Sequence, residues 1–121
     1  MRAWFDGVHP IVVVEQGGEV VAFAATFPYR PRECYAGIAE TSVYVSRPAR
    51  GRGAGGRALE ALIDAATGAG FSKLVSRVFP ENQASRRLIR AHGFREVGVY
   101  EKHARLDGAW RDVVIVERLL P

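Results

Sequence analysis

Apolar and polar positions change rhythm several times along this chain, and each change marks an element. Ile11–Glu15 and Glu19–Phe27 are β-branched and aromatic runs split by Gln16-Gly17-Gly18, which predicts two strands joined as a hairpin. Pro28, Pro31 and the charged Arg30, Arg32 and Glu33 read as a loop. Ala39–Val45 alternates, with Glu40, Ser42 and Tyr44 on one strand face and Thr41, Val43 and Val45 on the other. The period then lengthens. Leu59, Leu62, Ile63 and Ala66 fall at i, i+3, i+4 and i+7, a helix over Ala54–Ala66 closed by Gly68 and Gly70. Leu74–Val78 reads as a short buried strand. Asn82 reads as the N-cap of a second helix with Ala84, Leu88 and Ala91 inward, ended near Gly93. Phe94–Tyr100 and Trp110–Leu119 complete the pattern as strands, with Asp107-Gly108 at the turn, and Trp110 reads as a core residue, with a wall of a binding site as the alternative. The order β-β-β-α-β-α-β-β predicts an α+β fold (an α/β mixed sheet) in a single domain, residues 1–121, without internal repeat or linker.

At 121 residues the chain can bury a core, and 48% apolar with 25% charged residues is ordinary for a globular protein. No apolar run approaches the ~20 residues of a membrane span, and Met1–Gly7 lacks the apolar core of a signal peptide. Cys34 is the single cysteine, which excludes an internal disulfide and fits a reducing cytoplasm. The net charge of +4 includes 17 Lys and Arg, all of them arginine except Lys73 and Lys102. Arg47, Arg50, Arg52 and Arg57 cluster in one segment, and Arg86, Arg87 and Arg90 in another. Nucleic acid is the usual partner of basic patches, but no helix-turn-helix, zinc or aromatic-stacking signature accompanies these. A polyanionic cofactor explains the clustering more economically.

The first basic segment carries the chemistry. Gly51, Gly53, Gly55 and Gly56 leave main-chain amides uncovered where a helix begins at about Ala54. Uncovered amides, the positive end of a helix and four arginines suit a pyrophosphate. A P-loop would require Lys and Ser or Thr after the last glycine, and Arg57-Ala58 stand there. Gly51, Gly53 and Gly56 satisfy GxGxxG literally, yet Phe71–Arg77 lacks the acidic residue that a dinucleotide site places on its second strand. A merely solvated loop gains nothing from four glycines that weaken a helix start.

The third pattern, Arg50-Gly51-Arg52-Gly53-Ala54-Gly55 after Val43-Tyr44-Val45, resembles the acyl-CoA motif of the GNAT N-acetyltransferase superfamily. Asn82-Gln83-Ala84-Ser85, Leu88 and Gly93-Phe94 match the family's second block. The phosphinothricin acetyltransferase type is the nearest likeness, through Phe27–Arg32, Tyr35, Glu40–Val45 and Gly108–Val114. This likeness implies an acetyl-CoA-dependent N-acetyltransferase acting directly on a small amine, an amino acid or an analogue of the phosphinothricin or methionine sulfoximine type, with no metal. Val43, Tyr44 and Val45 would hold the pantetheine arm by their backbone. Arg50, Gly51, Arg52, Gly53, Ala54, Gly55 and Gly56 would hold the pyrophosphate, and Asn82 and Ser85 would sit at the thiol end. Glu40 is the candidate general base, since a protonated amine must lose a proton before attack; the alternative is that Glu40 pairs with an arginine.

The leaving thiolate needs a proton. Many relatives place Tyr or His directly after the position of Leu88, where this chain has Ile89, so Ser85, Tyr44 and water are the candidates. A lysine expected from the likeness aligns with Leu106. His92 is assigned to helix capping and Cys34 to a polar loop without a nucleophile pattern. The family precedes this core with one strand and two helices, whereas ten residues precede Ile11 here. A fold lacking that segment would leave Ile11–Val14 as an exposed edge strand, and a homodimer is expected to shield it; a misassigned gene start is the alternative. Acetylation of a protein N-terminus and non-catalytic acyl-CoA binding remain rival functions.

Overall fold

The computed structural model describes residues 2–5, 9–29, 35–47, 50 and 53–121. Its strands are β1 (Arg2–Phe5), β2 (Pro10–Gln16), β3 (Glu19–Pro28), β4 (Ile38–Val45), β5 (Lys73–Val78), β6 (Arg95–Leu106) and β7 (Ala109–Leu119). Two helices, α1 (Ala54–Gly68) and α2 (Gln83–Ala91), separate β4, β5 and β6. The β2–β3 hairpin turns on Gly17 and Gly18 at φ +61° and +83°, a left-handed pair that side chains resist. The seven strands form one sheet in the order β1-β2-β3-β4-β5-β7-β6, antiparallel except for β4 beside β5.

The expected α+β order holds from β2 onward, and one strand precedes it. β1 pairs along β2 from Phe5↔Pro10 to Arg2↔Val13. Ile11–Val14 is therefore an interior strand and not the expected open edge. Four residues are too few to display a period, so only the main-chain pairing identifies β1.

Both helices cover the same face of the sheet. Leu59 and Ile63 of α1 and Ile89 of α2 share an apolar cluster with Ala39, Leu74, Val114 and Val116. Leu62, Ala54 and Ala58 join a second cluster with Val12, Val14, Ala22 and Ala24. Leu59 and Leu62 are fully buried, worth about 1.5–3 kcal/mol each in removal from water. The opposite face carries Phe23 stacked on Tyr44 at 5.4 Å between ring centroids, both exposed.

Two expectations about packing fail. In α2, Leu88 packs half-buried against the core as expected, but Ile89 is the fully buried residue and Ala84 and Ala91 are exposed. Alanines bury too little to orient a helix of nine residues. Arg86 orients it instead, by a fork onto Glu96 at 2.8 and 2.9 Å and a bond to the Pro80 carbonyl at 2.8 Å. Trp110 is 57% exposed, not core. The β5 ladder ends at Val78↔Val114, so the tip of the β6–β7 hairpin runs past the sheet body and leaves Trp110 with Arg105 near its ring.

Candidate active site

β4 and β5 pair only over Ile38↔Lys73, Ala39↔Leu74 and Glu40↔Val75, although both strands continue. Beyond Glu40 they part. The Ser46 N–H donates to the Val21 carbonyl at 2.8 Å, so the even-numbered residues of β4 bond toward β3. Thr41, Val43 and Val45 accordingly aim their main-chain groups into the gap. Ser76 Oγ donates to the Thr41 carbonyl at 2.9 Å at the apex, and Arg50 Nε to the Val45 carbonyl at 3.3 Å at the mouth. Between them, the main chain of Val43 faces open space with no strand beside it among the described residues.

The start of α1 closes the wide end of this gap. Gly53 precedes the helix at φ +81° without a side-chain cap, and the first turn holds no acidic residue. Its amides are thus left for another acceptor. Gly55 and Gly56 permit the close approach. A Cβ on Gly55 would stand 2.9 Å from Val45 Cγ2, and one on Gly56 3.3 Å from the His92 ring. His92 Nδ1 lies 2.9 Å from the Leu88 carbonyl, which fits the structural assignment of this residue. Gly51 and Arg52, like Cys34, lie outside the described residues.

α2 supplies the other wall. The Asn82 side chain accepts the Ser85 N–H at 3.2 Å, the N-cap expected from sequence. The enclosed cleft measures about 750 Å³. It brings together Val43, Tyr44, Val45, Arg50, Gly53, Ala54, Gly55, Gly56, Asn82 and Ser85, every described member of the predicted cofactor set.

Glu40 stands at the apex on the helix-free face, paired with Arg77 at 2.8 Å. The arginine pairing left open by sequence is therefore present, next to the gap rather than inside its lining. Arg86 does not serve the cleft: its fork holds the Glu96 carboxyl below the ordinary carboxylate range. Arg95 first, then Lys73, likewise hold Glu117 down on the far face of β7. Among the described residues no cluster of three or more His, Cys, Asp or Glu is placed to hold a metal ion, and no helix is long and apolar enough to cross a membrane.

Ser76 and Arg77 went unnoticed in the sequence. Their signal was two consecutive polar residues inside the otherwise apolar Leu74–Val78.

The geometry has close counterparts. Residues 1–94 match the family model described as acetyltransferase (GNAT) family. A phosphinothricin N-acetyltransferase of Streptomyces coelicolor is 37% identical over 102 residues, covering 84% of this chain and 60% of that protein. A ribosomal-protein-alanine N-acetyltransferase from Brucella melitensis superposes with a TM-score of 0.90 at 35% identity, over 93% of this chain and 69% of that one. A GNAT-superfamily phosphinothricin acetyltransferase from Sinorhizobium meliloti, solved in complex with acetyl-CoA, gives 0.85 at 31%, over 93% and 61%. The chain thus spans between 60% and 69% of the length of these three proteins. With a splayed parallel strand pair, a glycine-lined helix start and these matches in agreement, the chain belongs to the GNAT acetyltransferase family.

Proposed function

We propose that residues 1–121 act as one domain that transfers acetyl from acetyl-CoA directly to the amine of a small molecule, an amino acid or analogue of the phosphinothricin or methionine sulfoximine type. The observation that carries this reading is the unpaired inner edge of β4 running from the glycine-lined start of α1 to the apex beside Glu40. Uncovered amides at Gly53–Gly56 suit the pyrophosphate, and the Val43 main chain suits the amides of a pantetheine arm. The group fits because the start of α1 carries no side-chain cap and no acidic residue in its first turn.

In the proposed reaction Glu40 takes a proton from the acceptor ammonium, directly or through water. The freed amine attacks the thioester carbonyl, a C–N bond forms as the C–S bond breaks, and the thiolate takes a proton from Ser85, Tyr44 or water. Ile89 cannot supply it and is buried in the core. A cytoplasmic location accords with the single cysteine. A homodimer in which each copy covers the other's exposed Phe23, Phe27 and Tyr44 accords with that uncovered aromatic face. Sedimentation as a monomer at high concentration would refute the dimer.

The test of the function is calorimetric titration with acetyl-CoA, followed by thiol release with a panel of free amino acids, other small amines and an alanine-initiated peptide. Turnover confined to the peptide would favour protein N-terminal acetylation, to which the Brucella likeness points. Binding without turnover would mark a non-catalytic acyl-CoA binder.

A further inference from the structure

The cleft continues beyond β5 into a second pocket of about 210 Å³, lined by Arg77, Val78, Phe79, His103, Ala104 and Val113. Arg77, Val78 and Phe79 line both voids. The far wall is irregular. Pairing of β6 with β7 jumps from Tyr100↔Val113 to Ala104↔Arg111, so Glu101, Lys102 and His103 oppose Asp112 alone. Lys102 sits at φ +49°, and its N–H is taken by Asp112 Oδ1 at 3.0 Å. A lysine in the left-handed region is held there by that side chain, and the bulge it makes turns His103 and Ala104 onto the pocket. Bulges of this kind re-aim side chains beside sites.

Arg77 is 42% exposed and gives one Nη2 bond to Glu40. The rest of its donor fork meets no acceptor among the described residues. We propose that this pocket is the acceptor subsite, and that Arg77 is its specificity-determining residue, binding the α-carboxylate of a free amino acid. The inference rests on the acetyltransferase reading above. An α-amino acid carries its carboxylate and ammonium on one carbon. The Arg77–Glu40 pair presents the complementary charges side by side, 2.8 Å apart, at the apex where the thioester would end. A zwitterion docks on such a pair head to tail, its carboxylate on the open side of the guanidinium and its ammonium toward Glu40. The apolar walls Val78, Phe79, Ala104 and Val113 receive a short side chain. The volume lies below the ~300–1,000 Å³ of sites for drug-sized ligands, which suits a small acceptor rather than a peptide. A peptide N-terminus has no carboxylate beside its amine and would leave the fork unsatisfied.

The experiment compares L-methionine sulfone with its α-carboxamide at saturating acetyl-CoA, read as released thiol. The amide's amine is less basic, so by proton availability alone it would be the better acceptor. The expected wild-type result is a kcat/KM preference for the free acid of about 10–100-fold, the usual worth of a hydrogen bond to a charged group. Arg77→Gln should bring the ratio close to unity, chiefly through KM for the acid, and Arg77→Lys should restore part of it. Equal turnover of acid and amide by the wild type would overturn the inference while leaving the acetyltransferase reading intact, and needs no variant to fold. A full preference surviving in Arg77→Gln would overturn it as well. Turnover of no amine would overturn both.

Discussion

Replacing Gly55 by alanine sets two effects of known size against each other. Alanine is the better helix former by about 1 kcal/mol, so propensity alone predicts a more stable protein. The added Cβ, however, would stand 2.9 Å from Val45 Cγ2 and 3.4 Å from Leu88 Cδ2. Carbon atoms prefer about 3.5–4.0 Å, so α1 and β4 must separate by several tenths of an ångström. Val45 is β-branched and cannot swing its methyl away cheaply. Overpacking of this sort costs about 1–3 kcal/mol, which outweighs the propensity gain. We expect a net loss of about 1 kcal/mol, or roughly 4 °C in melting temperature for a domain of this size. The same separation moves the amides of the first turn relative to the inner edge of β4, and acetyl-CoA should bind about tenfold more weakly. Gly68→Ala is the control, because nothing lies within 4 Å of its Cβ and only the propensity gain remains. Thermal melts and calorimetric titration read both quantities. A Gly55→Ala protein as stable as Gly68→Ala, with unchanged affinity for acetyl-CoA, would refute the close approach of α1 to β4 as the reason for glycine.

Gly53→Asp adds strain at φ +81° and a negative charge where an anion must come, and calorimetry should detect no acetyl-CoA binding. Glu40→Gln should lower kcat by about 10²–10⁴-fold, and an unaltered rate would reduce Glu40 to the partner of Arg77. Arg86→Met should destabilise the protein at neutral pH but less so in acid. Because Arg86 depresses the folded-state value of Glu96, this contribution is complete above the ordinary glutamate value of about 4.3 and fades as pH falls through it toward the lower folded value. Urea midpoints of both proteins should converge on that descent, and a constant gap would exclude the linkage.

Much of the site was legible in the chain itself, because its signals are local. Four glycines and a run of arginines before an apolar helical stripe describe an anion-binding helix start, whatever the rest of the molecule does. The two-residue period placed Glu40, Ser42 and Tyr44 opposite Thr41, Val43 and Val45, and Asn82 announced its own cap. What depended on distant register was not legible. The parting of β4 from β5 after Glu40↔Val75 is a property of two strands and the helix wedged at their mouth, and neither strand alone encodes it. Arg77 meets Glu40 across 37 positions, so the partner of the candidate base appears only once that parallel register is set. Arg86 looked like part of a cofactor patch until the fold brought Glu96 against it, and Trp110 looked like core until β5 proved too short to reach it. Periodicity and turn chemistry are written within a few residues of one another. Where strands diverge, which cations are already taken and which side chains the sheet leaves uncovered are decided by pairings between residues far apart in sequence, and those only the tertiary structure supplies.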